Sequence, residues 1–456
     1  MARKKRTYFV CSHCGWETSR WMGMCGSCAE WNTLEEVAAP VETDTKSHKA
    51  RREPAGSGPQ RPLSLDEIPE EEAARLKSGM GELDRVLGGG VMPGSFILLG
   101  GDPGIGKSTL ALQCISLLKD EKTLYVSGEE SLAQIRQRAS RLKVDHADMR
   151  VFTETEVTQV MEAARSEKPG IVIIDSIQTM FHSELQSMPG TTAQIRECAS
   201  LLMQFAKQQH VTVIAIGHVT KEGDLAGPRI LEHMVDTVLQ FEGDKQSHHR
   251  ILRTLKNRFG PANEVGIFEM GDDGLREVSN PSELFLSEFD AGVSGNAVVC
   301  SMEGTRPLLI EVQALVAPAS YGMPQRTTSG FDHRRLSLLL AVLEKRCGWH
   351  FHQHDVFLNV AGGMKLSETA CDLGVACALV SSISGKATGE PVAVIGEVGL
   401  GAEVRRVTQM PRRLEEAGNM GFTHAVVPGG TAEPQNGLKI SAVRNVDEAL
   451  RRCGLD

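Results

Sequence analysis

The chain has 456 residues, 41% of them apolar and 23% charged, which suits a globular protein of two or three domains. No apolar run approaches membrane-spanning length, and the basic start MARKKRTYFVCSHCG lacks the apolar segment of a secretory signal, so the cytoplasm is the expected compartment. The formal net charge of −9 argues against a general nucleic-acid binder and leaves only locally concentrated cations to serve that role.

In chain order, the first feature is Cys11-Ser12-His13-Cys14 followed by Cys25-Gly26-Ser27-Cys28. Two C-x₂-C knuckles bring four thiolates together as tetrahedral zinc requires, so Cys11, Cys14, Cys25 and Cys28 are expected to hold one structural Zn²⁺. His13 is then a bystander. Residues 1–37 form too small a domain to fold on an apolar core alone, and the metal supplies the difference. The other seven cysteines are scattered through mostly apolar runs and read as buried thiols. Residues 38–62, rich in Pro, Gly and charge and without periodicity, read as a flexible linker.

An ATPase core is expected over 63–278. Phe96 to Leu99 reads as a buried strand and Ser108 onward as a helix. Between them Gly101-Asp102-Pro103-Gly104-Ile105-Gly106-Lys107-Ser108 matches the phosphate-loop pattern, with Thr109 following. Glycines let backbone N–H groups turn toward phosphate oxygens, Lys107 supplies a charge at the β- and γ-phosphates, and Ser108 can ligate Mg²⁺. The expected ligand is therefore ATP with Mg²⁺. Thr123 to Val126 is a strand leading to Glu129 and Glu130, carboxylates placed to orient attacking water; one of the two also suits the start of a helix over Leu132–Leu142. Ile171 to Asp175 is an apolar run closing on the aspartate expected on the Mg²⁺ side. Val211 to Gly217 is a further strand, ending at His218. The segments 178–196 and 220–229 should be loops, the second with Lys221 and Arg229 offering cations to a phosphate backbone. In Leu255-Lys256-Asn257-Arg258-Phe259-Gly260, an extended chain puts Lys256 and Arg258 on one face, suited to a neighbouring subunit's γ-phosphate.

After Pro281 the texture changes, and 279–456 reads as a separate α+β domain. Strands are expected over 292–317 and 356–363, helices over 334–347 and 370–382, and a strand–helix–strand over 391–437. Arg405, Arg406, Arg412 and Arg413 cluster near a predicted helix start. His350, His352 and His354 alternate as a polar strand would, without a carboxylate partner that sequence can place.

Several of these runs resemble known families. Ser78-Gly79-Met80-Gly81-Glu82-Leu83-Asp84, with Gly88-Gly89-Gly90, is similar to the lead-in of the RecA family. By that pattern Glu129 is the catalytic base, and Lys107, Glu129, Asp175, Lys256 and Arg258 are the catalytic set. The same resemblance implies a polar sensor of the γ-phosphate at His218. KNRFG, with the knuckles and the C-terminal region, resembles the RadA family of bacterial DNA-repair proteins over nearly the whole chain. GTRPLLIEVQALV, ALVSS and GEVGLGAEVRRV resemble the proteolytic domain of Lon. The implied fold is α/β: a RecA-like P-loop core with an N-terminal zinc ribbon and a C-terminal α+β Lon-protease-like domain. The implied activity is that of a hexameric, DNA-stimulated ATPase, associated with the bacterial nucleoid, that moves on single-stranded DNA and drives branch migration beside RecA. The family resemblance also implies that the C-terminal domain contacts duplex DNA, through Arg405, Arg406, Arg412 and Arg413. The Lon likeness raises a Ser–Lys peptidase as the alternative, but the serine position falls at Asp372 and the lysine position at Pro411, neither competent. A zinc-bearing scaffold switched by nucleotide is the other alternative.

Overall fold

The computed structural model describes residues 7–11, 17–18, 20–26, 28, 30–38, 74–118, 121–144, 147–218, 230–243, 249–319, 323–430 and 437–456. Cys14, Lys221 and Arg229 lie outside the described residues, as do His13, the expected linker beyond Ala38 and the whole of the second expected loop.

The N-terminal strands β1 (Thr7–Cys11), β2 (Glu17–Thr18) and β3 (Leu34–Ala38) form an antiparallel sheet with β1 central. Its described core is little more than Cys11, Cys25 and Leu34, with Phe9 and Cys28 against them, too little apolar area to hold three strands without a metal.

A nine-stranded sheet follows. After the short helix α1 (Gly81–Val86), its parallel part comprises β4 (Phe96–Gly101), β5 (Thr123–Ser127), β6 (Met149–Phe152), β7 (Ile171–Asp175), β8 (Thr212–Ile216) and β9 (Thr237–Glu242). Helices α2 (Lys107–Leu117), α3 (Leu132–Arg141), α4 (Val157–Glu167), α5 (Thr192–Gln209) and α6 (Ile230–Met234) connect these strands. The strand order is β9-β4-β8-β7-β5-β6, extended beyond β9 by the antiparallel β10 (His249–Asn257), β11 (Val265–Gly271) and β12 (Gly274–Glu277). Strand β4 shows why this sheet is two-faced. All six residues are buried; Ile97 and Leu99 join the cluster of α2 residues Leu110, Ala111, Cys114 and Ile115, while Phe96 and Leu98 join the one with Leu202 and Phe205 of α5. The period of two turns a continuous apolar run into two opposite core surfaces. Because β8 and β7 separate β4 from β5, the carboxyl ends of β4, β5, β7 and β8 border one crevice.

The expected loop 178–196 is shorter than predicted. A 3₁₀ turn spans Ile177–Thr179 and α5 starts at Thr192, because Ile195, Cys198, Ala199 and Leu202 repeat at helical spacing and bury against the sheet.

After α7 (Pro281–Phe285) comes a seven-stranded sheet built from β13 (Asn296–Glu303), β14 (Arg306–Pro318), β15 (Arg326–Ser329), β16 (His354–Val360), β17 (Val392–Val394), β20 (His424–Pro428) and β21 (Lys439–Val443), in the order β15-β16-β14-β13-β17-β20-β21. A separate two-stranded ribbon pairs β18 (Glu397–Val398) with β19 (Val404–Arg405). Helices α8 (His333–Cys347) and α9 (Asp372–Ser384) share one apolar cluster with this sheet and with α11 (Val446–Arg452); α10 (Met410–Asn419) packs on the opposite face. The two large sheets are joined physically: Ile251, Val265 and Ile267 of the first belong to the same cluster as Leu308 and Ile310 of the second. Arg306 Nη1 donates to both oxygens of Glu82 at 2.9 and 2.7 Å, and Arg253 Nη1 to Glu303 Oε2 at 2.5 Å.

Candidate nucleotide-binding site

Gly101 ends β4 and Lys107 begins α2, so residues 102–106 form a tight loop capped by a helix N-terminus. Gly106 has φ +120°, a backbone conformation that favours glycine over any side chain. Arg250 of β10 holds the loop from below, its Nε donating to Ile105 O at 3.2 Å. Lys107 is 4% exposed and folds back onto the loop, Nζ donating to Gly101 O at 2.7 Å and Asp102 O at 2.9 Å. Burial pushes its ammonium down to about 8, against the opposing charges of Asp175, Asp102 and Glu129. Ser108 and Thr109 follow, half-buried in the first turn of α2.

Asp175, at the end of β7, is buried and accepts from Tyr125 Oη at 2.5 Å, with Arg138 Nη1 3.9 Å away. The two neighbouring glutamates separate sharply. Glu129 Oε1 accepts from Ser176 Oγ at 2.5 Å and lies 3.2 Å from His218 Nε2. Burial raises the Glu129 carboxyl, but those hydrogen bonds and the charges of His218 and Lys107 outweigh it and leave it below its ordinary value. Glu130 turns the other way, into an ion pair with Arg138, and burial leaves its carboxyl above the ordinary value despite that partner. The helix-start role belongs to neither: Ser131 caps α3 in a capping box with Gln134. Lys107, Glu129, Asp175 and His218 therefore converge on one crevice. Sequence reading missed Ser176, Tyr125, Arg138 and Arg250, which have no motif and act by holding named residues; Gln178 also reaches this strand end, Nε2 donating to His218 O at 3.4 Å. The buried carboxylate of Asp175 and the hydroxyl of Ser108 form a hard-oxygen donor set that fits Mg²⁺.

Lys256 and Arg258 sit elsewhere. Register places Asn257 beside Thr237 and Thr237 beside Ile97, whereas the loop leaves the sheet after Gly101, which pairs with Phe241. Four residues of strand, about 13 Å, separate the two levels before the loop itself is counted. A bulge falls between Thr254 and Lys256. Lys256 Nζ donates to Glu232 O, His233 O and Val235 O at 2.8, 3.2 and 2.8 Å; burial and the nearby Arg258 lower its ammonium. Arg258 keeps 54% of its side chain exposed, with Nη1 3.5 Å from Asp236 Oδ1.

In the ribbon, Cys11 Sγ lies 3.7 Å from Cys28 Sγ, and the ligand atoms of Cys11, Cys25 and Cys28 all lie within 4.8 Å of one another. Two sulfurs of a tetrahedral site with Zn–S of about 2.3 Å stand about 3.8 Å apart, so the described thiols fit zinc.

The C-terminal domain corrects two expectations. Arg413 is no surface cation: it is fully buried, paired with Glu368, and donates to Cys300 O and to Thr408 O. Arg405, Arg406 and Arg412 do reach the surface, held by Glu403, Gly429 O and Thr305 O respectively. The histidines are not one strand. Only His354 lies in β16; His350 and His352 precede it, and Glu344 at the end of α8 supplies the carboxylate, 2.8 Å from His352 Nδ1 and 3.9 Å from His350 Nδ1. At the peptidase positions, Asp372 is buried in an ion pair with Arg335 and accepts from Val398 N at 3.2 Å, and Pro411 lies in the first turn of α10.

Family models match three parts of this chain. Residues 60–224 match the AAA domain family, 9–36 the rubredoxin metal binding domain family, and 318–431 the family of the ChlI subunit of Mg-chelatase. The KaiC-like protein PH0186 of Pyrococcus horikoshii is similar over 45% of this chain and 99% of its own, at 22% identity and a TM-score of 0.38; the RadB recombinase is similar over 45% and 100%, at 24% identity and 0.37. Among relatives, the DNA repair protein RadA of Halalkalibacterium halodurans is 47% identical over 98% of both chains, that of Pseudomonas aeruginosa 48% over 99% of both, and that of Bacillus subtilis 46% over 98% of both. At such identity across the whole length, with the P-loop core between a metal ribbon and a Lon-like α+β domain, this chain belongs to the RadA family of DNA repair proteins.

Proposed function

We propose that this protein is a DNA-dependent ATPase of DNA repair and recombination, assembled as a ring in which each site is completed by the next subunit. The observation that carries this reading is the separation of Lys107 and Arg258 to opposite ends of one sheet. An exposed guanidinium that cannot reach its own phosphate loop is suited to the loop of a neighbour. A heterologous, head-to-tail contact of that kind closes into a ring when its rotation permits.

In this reading Lys107 and the backbone of the loop bind the triphosphate, Ser108 and Asp175 would hold Mg²⁺, and the ion when bound neutralises charge between the β- and γ-phosphates. Glu129 orients and deprotonates the attacking water. His218, beside it, senses the γ-phosphate. Arg258 of the adjacent subunit stabilises the transferring phosphoryl group. Lys256, its ammonium shared among three carbonyls, serves chiefly to hold the start of that segment. The family name brings DNA repair to the chain. Movement on single-stranded DNA, branch migration, a hexameric ring, partnership with RecA and residence on the nucleoid extend this proposal, with Lys221, Arg229, Arg405 and Arg406 as DNA contacts. Within the described residues no helix is long and apolar enough to cross a membrane. The peptidase reading gains no support where Asp372 is tied to Arg335.

The test is the rate of ATP hydrolysis against single-stranded DNA concentration, with light scattering for particle mass. The expected outcome is stimulation by DNA, a ring-sized particle and loss of turnover in Lys107→Ala. Equal rates with and without DNA, and no salt-sensitive DNA binding, would overturn the proposal.

A further inference from the structure

We propose that Asp236 is the positioning residue for the arginine offered to the neighbouring site. It is the point where that arginine is tied to the strand carrying the subunit's own phosphate loop. The inference rests on the trans-site reading above and deepens it.

Asp236 is 2% exposed, and no motif marks it. A buried carboxylate needs partners that compensate for the water it loses. Three converge here. Lys207 Nζ donates to Oδ2 at 2.6 Å, Phe96 N donates to the same oxygen at 3.0 Å, and Arg258 Nη1 approaches Oδ1 at 3.5 Å. Its main chain is used in the same way. Asp236 N donates to Phe96 O at 3.0 Å, and Arg258 N donates to Asp236 O at 3.1 Å. Phe96 is the first residue of β4, the strand that ends in the phosphate loop.

Lys207 also lies over the ring of Phe259, 5.5 Å from its centroid, so it grips the residue that follows the arginine. Lys207 stands near the end of α5, whose first turn follows the loop beyond Asp175. At 1.5 Å per residue the helix carries the chain about 23 Å from that loop to Asp236. Asn257 completes the frame, its Oδ1 accepting from Phe259 N at 3.0 Å. Arg258 is half-exposed, and among the described residues Asp236 is the side chain that directs its guanidinium. A long guanidinium searching many rotamers loses the orientation on which a finger's contribution depends.

The experiment is subunit mixing on saturating single-stranded DNA. Asp236→Asn alone should lower kcat at least tenfold while changing KM for ATP less than twofold. Mixed equally with Lys107→Ala, which has a dead loop and an intact finger, it should regain activity. In a randomly mixed head-to-tail ring about a quarter of contacts join an intact loop to an intact finger, so recovery should approach a quarter of the parent rate. Arg258→Ala mixed with Lys107→Ala is the control for the trans site itself. Recovery in both mixtures supports the inference. Recovery with Arg258→Ala but not with Asp236→Asn overturns it, because Asp236 then acts within its own subunit. Recovery in neither overturns the trans site and the inference together. Should Asp236→Asn not fold, Lys207→Gln, whose side chain is 47% exposed, takes its place. It should show the same split and the same rescue, and parental turnover in that variant would overturn the inference.

Discussion

Filling the phosphate loop should make the protein take up a proton near pH 8. In the structure Lys107 is buried against loop carbonyls, and its ammonium is pushed from 10.5 to about 8. The sign follows from linkage. Between pH 8 and 10.5 the unfolded chain keeps a proton on Lys107 that the folded chain has released, so this group makes stability rise with pH across that window. Below pH 8 the buried charge costs about 3 kcal/mol relative to an exposed lysine. A bound triphosphate places several negative charges beside the ammonium and returns its pKa to the ordinary value of 10.5 or higher. At pH 8 half the sites begin neutral, so binding should draw in about 0.5 proton per site, against about 0.1 at pH 7 and about 0.9 at pH 9. Calorimetric titration with a non-hydrolysable ATP analogue, in buffers of different ionisation enthalpy, reads this number directly. Lys107→Arg is the control, because a guanidinium stays charged throughout and takes up nothing. Uptake below about 0.1 proton at pH 8, or equal uptake in the arginine variant, would refute the reasoning.

Other outcomes follow from the same geometry. Glu129→Gln should lower kcat by about 10²-fold or more with ATP affinity retained, while Glu130→Gln, which loosens Arg138, should cost less than tenfold; steady-state hydrolysis and nucleotide titration separate the two. Arg413→Met leaves Glu368 without its partner and should cost about 3–5 kcal/mol in denaturant unfolding. DNA affinity of the folded fraction should be unchanged, since the side chain does not reach the surface. Removing zinc with a thiol reagent should release about one ion per chain and unfold the ribbon. The melting of the ATPase core should move by no more than a few degrees, because the described ribbon shares no apolar cluster with it.

Local features were legible before the structure. The loop, the strand before it and Asp175 rest on contiguous residues whose spacing dictates their geometry. The alternation of Phe96 to Leu99 between two cores follows from period two alone. What sequence left open depended on distant partners. Glu129 and Glu130 are adjacent, and their distant partners tell them apart: Ser176 and His218, 47 and 89 residues from Glu129, on one side and Arg138 of the following helix on the other. Arg412 and Arg413 read as a matched pair, yet a helix rotates neighbours by 100°, which sends one to the surface and the other into the core. Glu344 could not be placed against His350 and His352 without the turn that ends α8. Asp236 had no pattern to betray it, because its role lies in burial and convergence.

In the proposed ring a neighbour's arginine finishes the nucleotide site. The most direct test is the per-subunit rate of ATP hydrolysis by Arg258→Ala on saturating single-stranded DNA, with ATP binding measured alongside. The expected result is a loss of about 10³-fold with binding intact. A rate within twofold of the parent would contradict it.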